Sequence, residues 1–204
     1  MLEFERIYLK EGKKLIAGVD EAGRGPLAGP LVCACVIMPL DEKSIIVDVK
    51  DSKKLTPLQR ERIYPQIVER ALYHNVSIID PRVIDKINIY NANMRAMKLS
   101  VMGLGIVPDI VLLDGKGRIK LPCEQQFIVG GDSASYSIAA ASIVAKVVHD
   151  HIMMDFDKQF PQYHFAAHKG YGTPDHMACL REHGECEIHR QTFLRKFKAG
   201  LKIE

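Results

Sequence analysis

No apolar run in this 204-residue sequence approaches the ~20 residues needed to cross a bilayer. The opening MLEFERIYLKEGKK also lacks the apolar segment of a secretory signal. A cytoplasmic protein with no membrane partner is therefore expected. Cysteine is scarce: Cys33, Cys35, Cys123, Cys179 and Cys186 are odd in number and include no C-x-x-C pair, which argues against a disulfide framework and for reduced thiols. Strong charge of one sign is missing too, since the net charge is +3 and is by itself a weak argument for a polyanionic partner. The surplus is concentrated at one end: residues 158–204 hold eight Lys or Arg against five Asp or Glu, together with five histidines. For any single one of these charges a solvated basic helix end is an equal explanation. The sequence has no internal repeat and no low-complexity linker, and 47% hydrophobic with 26% charged residues excludes a disordered or collagen-like chain. The length suits one sizeable core rather than two ordinary domains.

The stretch that organises the chain is LIAGVDEAGRGPLAGP, residues 15–30. Leu15, Ile16, Ala17 and Val19 suit a buried strand, which delivers Asp20 and Glu21 to a rim before Gly23, Arg24, Gly25 and Pro26 prevent its regular continuation. Successive strand side chains alternate faces, so the two acids share one site only where the backbone turns at or just after them. The glycines permit that turn and leave N–H groups bare enough to approach a ligand. No Lys-Ser or Lys-Thr follows the glycines, so a P-loop is excluded. Two acids followed by a bare-backbone loop suggest metal ions beside a phosphate.

Further along, residues 31–38 form a second buried run that pairs with the first as a hairpin, and Cys33 and Cys35 share one strand face as small core residues. Residues 57–73 have a helical rhythm that Pro65 breaks or kinks; residues 74–80 return to a strand, and residues 81–102 read as one long helix ended by Gly103 and Gly105. Strands are expected at 109–113 and 126–129, a long Ala-rich helix at 135–156, loop at 160–174, and short helices at 174–183 and 190–198. Alternating strands and helices with one adjacent hairpin give an α/β domain with a mixed sheet. Asp114 repeats the logic of Asp20, an acid at the end of an apolar strand, although Asp-Gly is also an ordinary turn. Asp132 stands before the long helix, where an N-cap is the competing reading. His176, Cys179, His183, Cys186 and His189 lack the paired knuckle spacing of structural zinc and are not read as a zinc site.

DEAGRGPLAGP resembles the first motif of type 2 ribonucleases H, the HII branch in particular, and DSKKLT (51–56), LLDG (112–115), GDSASYSIAAASIVAKV (from 130), HKGYGT (168–173) and HRQTF (189–193) follow in that family's order over nearly the whole chain. The resemblance implies a ribonuclease H-like fold, a central mixed sheet flanked by helices, in a single domain whose residues from about 158 to 204 form a C-terminal helical extension. It implies a four-carboxylate catalytic and metal site at Asp20, Glu21, Asp114 and Asp132, with two Mg²⁺ or Mn²⁺ ions when substrate is bound. Four crowded carboxylates need such cations to offset their repulsion, and all-oxygen ligation suits these ions. It further implies hydrolysis of the RNA strand of RNA–DNA hybrids and nicking 5′ to single ribonucleotides embedded in duplex DNA, leaving 5′-phosphate and 3′-hydroxyl ends, with a role in ribonucleotide removal. A monomer is expected.

In that family the GRG loop, here Gly23, Arg24 and Gly25, senses the ribose 2′-hydroxyl together with a tyrosine that matches Tyr171, although a lone tyrosine also reads as a core-edge plug. Lys53, Lys54, Lys146, Lys169 and Arg190 are candidate phosphate contacts, and solvated surface positions remain the alternative for the lysines. The chain departs from the family pattern at Ala134, where Lys or Arg is common, at Gly172, where Pro is common, and at Asn93, where Thr is common; neither Ala134 nor Asn93 is expected to touch the carboxylates. Only about fourteen residues precede the first strand, whereas an HIII-type enzyme is expected to carry a further N-terminal domain. An HIII-like preference for long hybrids and a non-catalytic hybrid-binding protein are the alternatives. The tail FLRKFKAGLKIE reads as a clamp-binding segment or a solvated helix.

Overall fold

A computed structural model describes residues 1–195 and Ala199. The buried apolar runs become five strands, β1 (Ile16–Ala22), β2 (Leu31–Ile37), β3 (Tyr73–Ile79), β4 (Ile110–Asp114) and β5 (Glu124–Ile128). They form one sheet in the order β3-β2-β1-β4-β5 among the described residues. β1 runs antiparallel to β2 and parallel to β4, β2 is antiparallel to β3, and β4 is parallel to β5. This is the mixed sheet expected from a hairpin set among crossover helices.

Eight helices are described: α1 (Glu3–Lys10), α2 (Pro57–Arg70), α3 (Pro81–Ile87), α4 (Ile89–Met102), α5 (Gly131–Ala134), α6 (Tyr136–Gln159), α7 (Phe165–His168) and α8 (Pro174–His183). One face of the sheet, with Ala17, Val19, Cys33, Cys35, Val111 and Leu113, packs on α3 and α4 through Ile84, Ala96 and Met97. The opposite face, with Ala34 and Val36, packs on α6 and α2 through Ala139–Ala141, Ile143, Ile63 and Ile67. By length and composition α6 could cross a membrane, but 67% of its apolar window is buried in this fold. Gly18 lets it lie directly on β1, because a Cβ there would stand 2.0 Å from the Ser137 carbonyl carbon.

Several expectations change in three dimensions. Pro65 does not end α2, which runs on to Arg70; a capping box between Thr56 and Gln59 and Pro57 at the first position start the helix firmly. The helix expected over 81–102 is two helices. Asn88 interrupts it with φ +63°, and its side-chain oxygen accepts the Asn91 N–H at 3.0 Å to begin α4 afresh. The loop expected over 160–174 contains α7 and a 3₁₀ turn at Pro161–Tyr163. Residues 191–194 form turns rather than the expected helix, and residues 196–198, with most of the tail, lie outside the described residues. The N-terminal segment, for which no element was expected, forms α1. Its fully buried Glu5 accepts hydrogen bonds from Ser135 Oγ (2.5 Å) and the Ser137 N–H (2.9 Å), placing an anion at the positive N-terminus of α6.

Candidate active site

Strand register brings the acids together. Val19 pairs with Leu113 across the parallel β1–β4 ladder, so the next residues, Asp20 and Asp114, meet at the carboxyl ends of the two strands. Ile16, Ile110 and Leu112 share one packed cluster and Asp20 and Asp114 continue its parity, whereas Glu21 follows Ala17 and Val19 toward α4. Asp114 Oδ1 accepts the Gly131 N–H at 2.7 Å, which pins the start of α5 and sets Asp132 beside the strand ends. Thus all four acids converge, although the two neighbours on β1 arrive from opposite faces of the sheet.

Burial dominates their electrostatics. Asp20, 4% exposed, has its carboxyl pushed well above the ordinary range by desolvation and then by the charges of Glu21 and Asp114. Glu21 and Asp114 are also raised, chiefly by burial; Arg24 counters the shift at Glu21, while Asp132 adds to that at Asp114. Lys53 is one cation at the rim, its Nζ 2.9 Å from Asp132 Oδ2. Glu21 Oε2 is buried without a hydrogen-bond partner. Four carboxylates outnumber the two cations beside them, Lys53 and Arg24, whose Nη1 lies 3.5 Å from Glu21 Oε1, and with an orphaned carboxylate oxygen among hard donors the set fits divalent cations of the Mg²⁺ or Mn²⁺ kind.

The cleft above the strand ends, about 190 Å³, is lined by Asp20, Glu21, Asp114, the 23–25 loop, Lys53, Lys146 and Tyr171. A larger, more open groove of about 720 Å³ lies elsewhere, between α3, α4 and residues 192–195, and holds none of the four acids. Gly23 has φ +84°, and a Cβ on it would come 2.5 Å from both the Pro30 carbonyl oxygen and His149. A Cβ on Gly25 would lie 3.3 Å from the ring of Tyr171, so the ring covers bare backbone. Tyr171 itself is 45% exposed, which removes the core-plug reading. Its loop is sewn to the glycine loop by the Leu27 N–H donating to Gly170 O at 2.8 Å.

Arg190 is corrected outright. It is 0% exposed and donates five hydrogen bonds of 2.6–3.1 Å to the carbonyls of Gly23, Arg24, Gly29 and Pro30, so it holds the glycine loop and does not face a phosphate. Lys146 lines the cleft but its Nζ bonds Asp150 Oδ1 at 2.7 Å. Lys54 sits at the margin, donating to Ser133 Oγ at 3.0 Å, and Lys169 turns back to the carbonyl of Ala166 in its own loop.

Two residues of the site escaped sequence reasoning. Asn93, expected to lie apart from the acids, is buried on α4, and its side chain favours the charged form of Glu21 without forming a geometrically good hydrogen bond. His149 is buried behind Gly23, with its Nε2 unpartnered. A signal for His149 existed, since it follows Lys146 by three residues and so shares its face of α6.

Comparisons with known proteins identify the family and the fold. The model of the family described as ribonuclease HII matches residues 17–196. Ribonuclease HII of Caldicellulosiruptor bescii is 49% identical over 193 residues, covering 95% of this chain and 93% of the relative. That of Geotalea uraniireducens is 50% identical over 193 residues, covering 95% and 88%. The crystal structure of ribonuclease H2 from Pyrococcus horikoshii OT3 superposes with a TM-score of 0.77 at 26% identity, covering 93% of this chain and 99% of that one. With a ribonuclease H-like mixed sheet, four acids at its strand ends and about half of its residues shared with the Caldicellulosiruptor and Geotalea enzymes, the chain belongs to the ribonuclease HII family of divalent-metal-dependent endonucleases acting on nucleic acid.

Proposed function

We propose that this ribonuclease H cuts the RNA strand of RNA–DNA hybrids and nicks duplex DNA on the 5′ side of a single embedded ribonucleotide, giving 5′-phosphate and 3′-hydroxyl ends, and that it serves ribonucleotide removal as a cytoplasmic, single-domain monomer. The observation that carries this reading is the junction, in one cleft, of the acid cluster with a bare-backbone loop roofed by Tyr171. A cleft built that way has hydrogen-bonding groups for one sugar, and needs no long hybrid to be filled.

Asp20, Glu21, Asp114 and Asp132 are the residues that would hold the metal, two Mg²⁺ or Mn²⁺ ions with substrate bound. Ions in such a site supply an activated water and stabilise the departing 3′ oxygen of an in-line displacement. The protein's own contribution is positioning. The Gly23, Arg24 and Gly25 backbone, fixed from behind by Arg190, and the Tyr171 hydroxyl are the groups that would hydrogen-bond a 2′-hydroxyl, which both donates and accepts. Lys53 and Lys146 line the cleft and would meet the phosphate at its rim, with Lys54 at the margin; Lys169, turned back to Ala166, would have to swing out to reach it. Asn93, on the α4 side, favours the charged form of Glu21 against the burial that raises its pKa.

The test is cleavage of a labelled DNA duplex carrying one ribonucleotide, beside an all-DNA duplex and a full RNA–DNA hybrid, with Mg²⁺, with Mn²⁺ and with chelator. Metal-dependent nicking 5′ to the lone ribonucleotide is expected. Cutting of the long hybrid alone would overturn the single-ribonucleotide reading, and binding without cutting would overturn the catalytic roles given to the four acids.

A further inference from the structure

Away from the carboxylate cleft, three side chains with metal-ligating atoms meet at the foot of the loop that carries Tyr171. His164 Nδ1 lies 3.2 Å from Asp175 Oδ2 and 3.9 Å from Cys179 Sγ, and the three ligand atoms fall within 4.8 Å of one another. Asp175 and Cys179 are four residues apart on α8 and so share one of its faces. His164 faces them from across the chain, with φ +57°, immediately before α7. Zinc bonds of about 2.0–2.3 Å to nitrogen, oxygen and sulfur in a tetrahedron place such ligands roughly 3.3 Å (N to O) and 3.5 Å (N to S) apart. The two separations that involve His164 are within a few tenths of an ångström of these, and the Asp175 and Cys179 ligand atoms lie within 4.8 Å of each other.

The ordinary alternative is an exposed ion pair. The side chains of His164 and Asp175 are 58% and 53% exposed, and a pair of that kind contributes little. It does not account for the third member, since Cys179 is 7% exposed and its sulfur is nonetheless turned to the imidazole. The buried histidines of this region have closed environments: His176 Nε2 meets His189 Nε2 at 3.0 Å, His168 stacks on His176, and His189 Nδ1 lies 3.1 Å from Cys186 Sγ, while the exposed His183 lies 3.9 Å from Glu182. In the 164–175–179 group two ligands are open to solvent, which leaves room for a water as fourth ligand.

We infer that His164, Asp175 and Cys179 form a second metal site, for a borderline divalent ion of the Zn²⁺ type, that staples the two ends of the segment presenting Lys169 and Tyr171. Thiolate and imidazole select such an ion over the hard cations suited to the four-carboxylate cleft. Binding removes the Cys179 thiol proton and ties α7 to α8, so the loop between them loses freedom when the metal is present. The functional meaning of the staple rests on the proposed role of Tyr171; the site itself does not.

The test uses Co²⁺ and Zn²⁺ on the chelator-treated full-length protein. Cobalt bound to the carboxylate cleft has oxygen ligands only, so a near-ultraviolet thiolate-to-cobalt charge-transfer band reports a cysteine-containing site alone. The band is expected to appear, to be abolished by added Zn²⁺, to vanish in Cys179→Ala and to persist in Cys186→Ala. His164→Asn, which suits the left-handed backbone, should weaken Zn²⁺ binding by about tenfold or more while circular dichroism stays native. Limited proteolysis between residues 165 and 173 should slow on Zn²⁺ addition in wild-type protein only. A folded wild-type protein without the band, or a band that survives in Cys179→Ala, would overturn the site, and unchanged proteolysis would overturn the staple. Asp114→Asn separates this from the catalytic reading: it should abolish cleavage and leave the band intact.

Discussion

Replacing Arg190 with lysine tests whether the glycine loop is held from the inside. The guanidinium donates five hydrogen bonds to four buried carbonyls and lies 5.1 Å from the ring centroid of Phe193. Burial lowers its pKa to about 10, so it remains cationic at neutral pH. An ammonium has three donors and no planar fork, so at least two of the five bonds are lost and one carbonyl is left bare. Bonds to a charged donor are each worth roughly 1.5–3 kcal/mol, which puts the cost of two at about 3–6 kcal/mol, a large part of the ~5–15 kcal/mol available to a domain. With a urea slope of about 2–3 kcal/mol per molar, the denaturation midpoint falls by ~1–3 M. Urea titration followed by circular dichroism, in chelator, measures this directly. Cleavage assayed under conditions where the variant is fully folded should also fall, because Gly23 and Arg24 lose their support. A midpoint within ~0.3 M of wild type would refute the reasoning.

Tyr171→Phe should keep the ring over Gly25 and lose the hydroxyl, lowering kcat/KM on a lone-ribonucleotide duplex by about tenfold or more with duplex binding nearly unchanged; equal losses in cleavage and binding would count against a 2′-hydroxyl role. Asp20 carries a pH signature in the metal-free protein. Its folded pKa is raised, so the folded state holds the proton more tightly, and stability falls as pH rises from the unfolded carboxylate value of about 4 through the folded value. Asp20→Asn should flatten that fall and raise the denaturation midpoint at neutral pH in chelator, while abolishing metal-dependent cleavage; a lowered midpoint would contradict the frustrated-acid picture. Gly18→Ala should cost about 3 kcal/mol or more, because the added carbon meets α6 backbone at 2.0 Å and neither element can yield cheaply. A thermal scan showing a loss well under that figure would mean the α6–β1 contact is looser than described.

The sequence alone determined the elements whose signals are local. Continuous apolar runs marked β1, β2 and β4, the Ala-rich pattern marked α6, and acids directly after apolar runs marked Asp20, Glu21 and Asp114 as rim residues. Those features follow from burial and from the backbone freedom of glycine, which act within a few residues. What only the tertiary structure decided depends on partners far apart in sequence. Arg190 looked like a surface cation because its type usually is one; four carbonyls some 160 residues earlier make a buried place for it. Asn93 reached Glu21 through the packing of α4 on the face of the sheet that Glu21 shares. Asn88 cut a continuous helical pattern because one positive φ and one side-chain cap outweighed periodicity. His164 and Cys179 lacked metal-site spacing in one dimension and acquired it when α7 and α8 folded together, since ligand geometry is a property of distances in space and leaves no trace in a residue count.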